Sequence, residues 1–545
     1  METKSAHVDS FARDNLPPRE QWPEFRFTLP ALQYPARLNC VAELLDRHVA
    51  EGHGARPCLI APGVEWTYAD LLDRVDRIAQ VLVRDFGLVP GDRVLLRSAN
   101  NPMMVASYLA ALKAGAVVVA TMPLLRAKEL AFMIEKARVR LAICDARLLP
   151  DLETARSLAP VLEHIVAFGG TPADLEARMA TVPAGFAPVD TAAEDICLIG
   201  FTSGTTGVPK GTMHNHRDLL AICDAYSGQV LQPNESDRFI GSPPLAFTFG
   251  LGGLVLFPMR AGASTVLLER ASPAELLDGI ERFRPTICFT APTAYRAMLA
   301  QRPGRDLTSL RRCVSAGEAL PAATFEAWHD ATGIEITEGI GATEMLHIFI
   351  ASRPGAVRPG ATGTVVPGYE AKIVDDDFNE VPAGEAGRLA VRGPTGCRYL
   401  ADDRQRAYVQ DGWNLTGDTY RRDADGYFWY QARSDDMIVS AGYNIAGPEV
   451  ENALLTHPAV QECGVVGVPD PDRGQIVKAY VVLKPGHVPD VATRKALQDH
   501  VKAEIAPYKY PRAVEFLERL PRTETGKLQR FQLRRMGTEA PAKAS

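Results

Sequence analysis

The chain has 545 residues, 46% of them hydrophobic and 23% charged, with a formal net charge of −7. That is too long for one compact core, so at least two domains are expected, and the acidic balance leaves no basic footprint for nucleic acid. No stretch of eighteen apolar residues runs unbroken, which argues against a membrane span, and the nine scattered cysteines contain no Cys-x-x-Cys pair, which points to buried thiols rather than disulfides or a zinc site.

Residues 1–40 carry prolines and aromatics without periodicity and read as an arm on the first domain. The polar N-terminus lacks a secretory apolar core, so a cytoplasmic location is expected. From residue 40 the pattern alternates: a helix over 39–49, a strand over 57–61, a helix over 68–82 with an i, i+3, i+4 stripe, strands over 92–96 and 116–120, and a helix over 103–113 between them. Two all-apolar strands flanking a helix predict a parallel sheet covered on both faces, hence an α/β fold.

The apolar run 195–200 reads as a buried strand and leads into Phe201-Thr-Ser-Gly-Thr-Thr-Gly-Val-Pro-Lys-Gly211. Gly204, Gly207 and Gly211 let backbone N–H groups approach an anion, the hydroxyls of Ser203, Thr205 and Thr206 add donors, and Lys210 brings a positive charge. A Walker-type loop is excluded by spacing, because Pro209 precedes Lys210 and Gly211 follows it. Standing alone, the stretch also reads as a flexible Gly/Thr loop.

Further on come a helix over 218–226, an aromatic and glycine-rich turn over 242–253 entering another helix, strands over 285–290 and 310–315, and the segments Ala316-Gly317-Glu318 and Glu338-Gly-Ile-Gly-Ala-Thr-Glu344. A hydroxyl and a carboxylate on a glycine-flanked turn suit a phosphate and the oxygen-seeking Mg²⁺. Alone, Glu344 also reads as a solvated loop carboxylate, and Phe247 and Phe249 as core packing. Asp418, ending Gly412-Trp-Asn-Leu-Thr-Gly-Asp418, could accept both hydroxyls of a ribose. After the strand 427–430 and Arg433, the polar Arg-Ser-Asp-Asp run 433–436 marks a boundary. Beyond it, helices over 448–455 and 491–505 and strands over 461–468 and 478–483 predict a small α+β domain, ending in Thr523-Glu-Thr-Gly-Lys527.

The ordered loop 202–211 and the distant Thr-x-Thr-Gly-Lys527 motif resemble the adenylate-forming superfamily of acyl-CoA synthetases, adenylation domains and luciferases, over roughly residues 66–533. The resemblance implies a large ATP- and acyl-binding domain over 1–434 and a mobile domain over 435–545, hinged near Asp435. It places ATP against Thr202 to Gly207, Gly317, Glu318, Gly339, Ile340, Gly341, Asp418, Tyr430 and Arg433, with Gly442 moving towards coenzyme A. Thr343 then contacts the α-phosphate, Glu344 holds Mg²⁺, Lys210 holds pyrophosphate, and Lys527 bridges the acid's carboxylate and the α-phosphate.

Many relatives carry tyrosine where Ile340 stands. The Gly-Ile-Gly turn followed by Thr343-Glu-Met-Leu-His-Ile-Phe349 resembles the benzoate and 2-aminobenzoate CoA ligase branch. That resemblance implies an aryl acid pocket of Ala246, Phe247, Thr293, His347 and Ile348, with Phe247 where benzoate ligases have tyrosine. The expected partners are an aryl carboxylate, ATP and CoA, and a homodimer is compatible with the reading. Loading of a carrier protein remains the alternative, with a non-catalytic nucleotide-binding protein and a luciferase-like oxygenase more distant.

Overall fold

The structure, a computed structural model, describes residues 4–170, 174–202, 208–433, 436–440, 443–470, 473–523 and 527–538. Two sheets of mostly parallel strands form the large N-terminal body. One has six strands in the order His164–Phe168, Leu141–Asp145, Arg93–Arg97, Val117–Thr121, Ile196–Thr202, Lys210–Asn215. The other has nine, running Thr364–Val365, Ile348–Ala351, Ile336–Gly341, Arg312–Ser315, Ile287–Thr290, Arg238–Gly241, Ser264–Val266, Pro57–Ala61, Val64–Thr67. The predicted parallel pairing is present, with Val94 opposite Val118 and Leu141.

Local chemistry explains the helices that cover these sheets. Helix Tyr68–Phe86 starts at a reciprocal capping box, in which Thr67 Oγ1 accepts from Asp70 N at 3.1 Å and Asp70 Oδ2 accepts from Thr67 N at 3.0 Å. It stops at Gly87 with φ +63°, a conformation that costs glycine nothing. Its stripe of Leu71, Val75, Ile78 and Leu82 is fully buried. Helix Pro102–Lys113, capped by Asn101, is apolar all round because it lies inside the body, and its one buried cation, Lys113, is held by Asp76 at 2.5 Å and Asp46 at 2.6 Å.

Several elements extend beyond the sequence expectation. The helix expected over 218–226 begins at His216 and runs on through π-helical turns to Leu231, and the helix entered at 248 likewise continues through a π-helical turn, Gly252–Leu256, to Ala261. Both π segments flank the candidate acid pocket, consistent with the tendency of such turns to occur at functional sites. The strands Val64–Thr67, Ile348–Ala351 and Lys210–Asn215 pair antiparallel. They escape a reading based on βαβ periodicity because a hairpin has no helix to announce it. The arm at 4–40 does pack on the body: Ala6 N reaches Asp195, Glu24 N reaches Gly412 O, and Trp22 and Phe25 cover Arg398.

A third, antiparallel sheet holds Glu370–Val374, Ala386–Arg392, Trp413–Arg422, Val409–Gln410 and Phe428–Arg433. The C-terminal sheet contains Tyr443–Ile445, Ile438–Ser440, Gly474–Leu483, Val460–Asp470 and Ala513–Phe516, with helices Gly447–Leu455 and Val491–Glu504 around a separate core of Ile438, Val450, Leu454, Val465, Ala479 and Leu497. All nine cysteines are buried and free.

Candidate active site

Four neighbouring strands of the nine-stranded sheet, Arg238–Gly241, Ile287–Thr290, Arg312–Ser315 and Ile336–Gly341, run parallel in successive positions. Their carboxyl ends therefore deliver residues 242–247, 291–293, 316–318 and 342–344 to one rim, where ligands of open α/β sheets bind. The six-stranded sheet adds the end of Ile196–Thr202. The two sheets meet where a Cβ on Gly200 would lie 2.9 Å from Thr343 Cγ2, so this close approach demands glycine.

The loop after Thr202 joins two antiparallel strands, Thr202 opposite Lys210, and is thus a hairpin rather than a strand-to-helix phosphate loop. That is the structural reason it lacks Walker spacing. Ser203, Gly204, Thr205, Thr206 and Gly207 lie outside the described residues. At the loop's base Thr202 keeps a buried hydroxyl with no hydrogen-bond partner among the described residues.

Opposite it, three side chains close on each other. Tyr399 Oη donates to Glu344 Oε1 at 2.5 Å, and Lys210 Nζ lies 2.6 Å from Tyr399 Oη and 3.3 Å from Glu344 Oε1. Tyr399 is carried there by pairing of 398–400 with strand Lys210–Asn215: Met213 N donates to Arg398 O and Leu400 N to Gly211 O, both at 2.8 Å. Among the described residues no group of three His, Cys, Asp or Glu forms a metal site. A lone carboxylate such as Glu344 fits Mg²⁺, which binds through one or two carboxylates and substrate phosphates.

Turn Thr343–Met345 is gripped from below by His214, whose Nε2 lies 2.7 Å from Thr343 O while Nδ1 lies 3.5 Å from Asp218 Oδ2. Asp218 is wholly buried and paired with buried Arg398. Burial alone would raise its carboxyl pKa, but Arg398 and His214 outweigh it and hold it below the usual range. After the turn Leu346 takes φ +68°, costing about 1–3 kcal/mol for a branched residue, and it is retained because Leu346 N donates to Thr343 O and its side chain is enclosed.

The expected nucleotide segments line the same rim. Asp418 and Arg433 are register partners, 3.3 Å apart, and Gly417 at φ +77° lets the guanidinium pass, since a Cβ there would sit 2.9 Å from Arg433 Nη2. Burial raises the Asp418 pKa, with Arg433 opposing. Tyr430, half-buried, follows on the strand beside them. Gly339 and Gly341 admit the neighbouring strand: a Cβ on Gly339 would meet Ile348 Cγ2 at 2.8 Å, and one on Gly341 would meet His347 C at 2.8 Å. Ile340 remains half-buried between them. Asp435 and Gly442 lie outside the described residues.

Glu338, which the sequence reading passed over, accepts from Leu320 N at 2.9 Å and is pushed up to about 8 by burial. The folded state therefore binds a proton that the unfolded chain has released, so this residue costs stability increasingly as pH climbs from about 4.5 towards 8. Glu338→Gln is expected to raise the thermal midpoint at pH 8.5 and to change it little at pH 5. A gain that is the same at both pH values would contradict the assignment.

Of the acid-pocket candidates, Ala246, Phe247 and Thr293 keep part of their surface open, whereas His347 and Ile348 are enclosed. His347 is ringed by Phe257 at 4.6 Å and by Tyr226 and Phe249, each at 5.7 Å, and Gly252 makes room for it, since a Cβ there would meet His347 Cδ2 at 2.3 Å. Burial lowers the imidazole pKa to about 3, a backbone contact with Phe249 opposing only weakly, so the ring is neutral.

Lys527 arrives from the C-terminal body. Its Cε is the one atom that a Cβ on Gly317 would contact, at 3.5 Å, and Gly317 sits at φ +93°. The Lys527 side chain keeps exposed surface, yet crowding by surrounding protein lowers its pKa, with Arg433 adding and Glu318 and Asp418 opposing. Glu318 lies close by, taking Leu528 N at 3.1 Å. Tyr399, His214 and Glu338 carried no sequence signal of their own, because each acts through a neighbour that only folding supplies.

Residues 46–399 match the model of the AMP-binding enzyme family and residues 449–527 that of the AMP-binding enzyme C-terminal domain. The chain is 39% identical over 514 residues to a benzoate–CoA ligase of Thauera aromatica, covering 93% of this chain and 98% of that one. It is 36% identical to a 4-hydroxybenzoate–CoA/benzoate–CoA ligase of Rhodopseudomonas palustris, covering 93% and 96%. Among solved structures, the anthranilate CoA ligase AuaEII in complex with anthranoyl-AMP superposes with TM-score 0.90 at 40% identity, covering 94% of this chain and 99% of that one. A benzoate CoA ligase of Burkholderia xenovorans LB400 gives 0.84 at 33%, covering 91% and 100%. With matches spanning both bodies of the fold and relatives aligned almost end to end, the chain belongs to the AMP-binding, adenylate-forming enzyme family.

Proposed function

We propose that the protein is an ATP-dependent aryl acid CoA ligase and that 2-aminobenzoate is its preferred acid. The observation that carries the reading is Lys527, whose Cε comes within 3.5 Å of where a Cβ on Gly317 would stand and whose amine feels Glu318, Asp418 and Arg433, on the rim that also holds Lys210, Thr343 and Glu344. Similarity to benzoate and anthranilate ligases supports the acid class, and the half-open Phe247, where benzoate ligases carry tyrosine, supports the ortho-substituted ring.

A carboxylate oxygen of the acid attacks the α-phosphorus of ATP, and the bond from that phosphorus to the bridging oxygen of pyrophosphate breaks. The thiolate of CoA then attacks the acyl carbon, the bond to AMP breaks, and the thiol proton leaves to solvent. Both steps move negative charge, so the contribution of the chain is positive charge and fixed donors. Lys527 meets the entering carboxylate and the α-phosphate. Lys210 leaves Tyr399 and Glu344 for the departing pyrophosphate, and Thr343 holds an α-phosphate oxygen. Glu344 would hold Mg²⁺, which would supply positive charge to neutralise the phosphates. Asp418 takes the ribose hydroxyls, and the closure that carries Lys527 inward excludes water.

Tyr399→Phe removes the donor that orients Glu344 and is expected to raise the ATP KM and the Mg²⁺ requirement about tenfold, as losses around metal ligands do. Pyrophosphate release titrated with Mg²⁺ measures it, and unchanged Mg²⁺ dependence would show that Tyr399 has no such role. The function itself is tested by incubating the protein with Mg·ATP and benzoate, 2-aminobenzoate, cinnamate, hexanoate or acetate, with and without CoA, and weighing the products. An aryl thioester that needs CoA, formed fastest from 2-aminobenzoate, is the expected result. Adenylate without thioester would transfer the acceptor role to a carrier protein, equal efficiency for benzoate would remove the ortho preference, and no AMP from any acid would overturn the reading.

A further inference from the structure

The surface between the C-terminal body and the large body carries a run of alternating charges that the reaction chemistry does not use. Arg296, on helix Pro292–Gln301 of the large body, lies 3.7 Å from Glu462 on strand Val460–Asp470 of the C-terminal body. Glu462 also takes Arg522 at 2.6 Å, and Arg522 lies 3.7 Å from Glu318 of the large body. Glu318 finally accepts from Leu528 N at 3.1 Å, one residue beyond Lys527. Thr523 and Lys527 close the loop on itself, Thr523 N donating to Lys527 O at 2.7 Å and Lys527 N to Thr523 Oγ1 at 3.0 Å. The chain of contacts therefore runs large body, small body, large body, small body, and its last link fixes the backbone that presents the lysine.

We infer that Glu318 is a positioning residue: its carboxylate is the catch that holds the Lys527 loop inward for adenylation, with Arg296 and Glu462 as the second point of attachment. This rests on the ligase reading for its kinetic consequence, though the attachment itself is a property of the two bodies. The geometry favours a releasable catch. All four side chains keep between 19% and 31% of their surface exposed, so each pair contributes modestly and is screened by salt. A two-state element biased by a few weak pairs can pass between arrangements within a catalytic cycle, which a wholly buried pair would resist. Glu318 also lies within the electrostatic field of Lys527, so the residue that fastens the loop favours the protonated amine as well.

The test uses the full-length protein. Glu318→Gln is expected to slow adenylate formation at saturating ATP about tenfold, while thioester formation from supplied aryl-adenylate and CoA proceeds at or above its normal rate. Arg296→Ala, whose side chain faces Glu462, is expected to do the same to a smaller degree, about threefold. Equal loss of both half-reactions, or a raised ATP KM as the sole effect, would overturn the inference by reducing Glu318 to a structural or nucleotide contact. A readout independent of catalysis separates failure of the catch from failure of the ligase reading. Cysteines introduced at the exposed Leu158 and Val491, the native thiols being buried, carry a dye pair for energy transfer. Either variant, or high salt on the parent, should populate a second interdomain distance; one unchanged distance in all three would sink the proposal even in a fully active enzyme.

Discussion

Lys527→Ala is expected to lower aryl-adenylate formation by about three orders of magnitude, while thioester formation from presynthesised aryl-adenylate and CoA stays within a few-fold of the parent. The size follows from what surrounds the amine. The Lys527 side chain is open to solvent but reaches the Gly317 turn, and the amine feels two carboxylates, Glu318 and Asp418, and one guanidinium, Arg433. A cation placed where charge grows on phosphorus contributes far more than it would in bulk solvent once bound substrates displace the water around it. The selectivity follows from where it stands. Lys527 belongs to the small C-terminal body, so its contribution lasts only while that body is closed in this arrangement. Pyrophosphate release and adenylate-to-thioester conversion, assayed separately on one preparation, decide the matter; equal loss in both would show that the variant damages the fold or the nucleotide site. A larger side chain in place of Gly317 should imitate the defect, because φ +93° strains any L residue and a longer side chain would grow from a Cβ already in contact with Lys527 Cε at 3.5 Å.

How far the sequence carried this picture differs from residue to residue. The parallel strands were legible because burial on both faces leaves continuous apolar runs, as at Val117–Thr121. Lys210, Glu344, Asp418, Arg433 and Lys527 stood out as chemistry-bearing types in recognisable company, and those with described surroundings gather on one rim. Tyr399 was invisible: Gly396-Cys-Arg-Tyr-Leu400 has no pattern, and the tyrosine matters because two backbone hydrogen bonds dock this segment against strand Lys210–Asn215. His214 and Glu338 were missed for a related reason. Each lies inside a strand, where alternation predicts a buried residue and a polar one looks like an exception with no partner; the partners, Asp218, Thr343 O and Leu320 N, are set by the fold. The antiparallel Lys210–Asn215 strand escaped because a glycine-rich loop after an α/β strand normally introduces a helix.

The second large effect concerns Asp218. Asp218→Ala is expected to destabilise the large body by about 3–5 kcal/mol, since it strands the guanidinium of Arg398, which is as buried as the carboxylate itself. Asp218 also holds the N-terminus of helix His216–Ile222, with Asp218 N donating to Asn215 Oδ1 at 3.0 Å and Asn215 N to Asp218 Oδ2 at 3.2 Å, so the cap fails with the ion pair. Its carboxyl pKa is held below the usual carboxylate range, so the stabilisation is fully present at neutral pH and is lost as pH falls through the folded pKa. Removing both charges, as Asp218→Leu with Arg398→Met, is expected to recover most of the stability, because the partner is no longer left uncompensated. Activity should behave differently. Without Asp218 the His214 ring loses the group that faces Nδ1, and the contact from Nε2 to Thr343 O loosens just below Glu344. The double variant is therefore expected to melt near the parent yet form adenylate about tenfold more slowly. Full recovery of both would reduce the cluster to a structural ion pair, whereas stability regained without rate ties the buried Arg398–Asp218–His214 chain to the phosphate-facing turn.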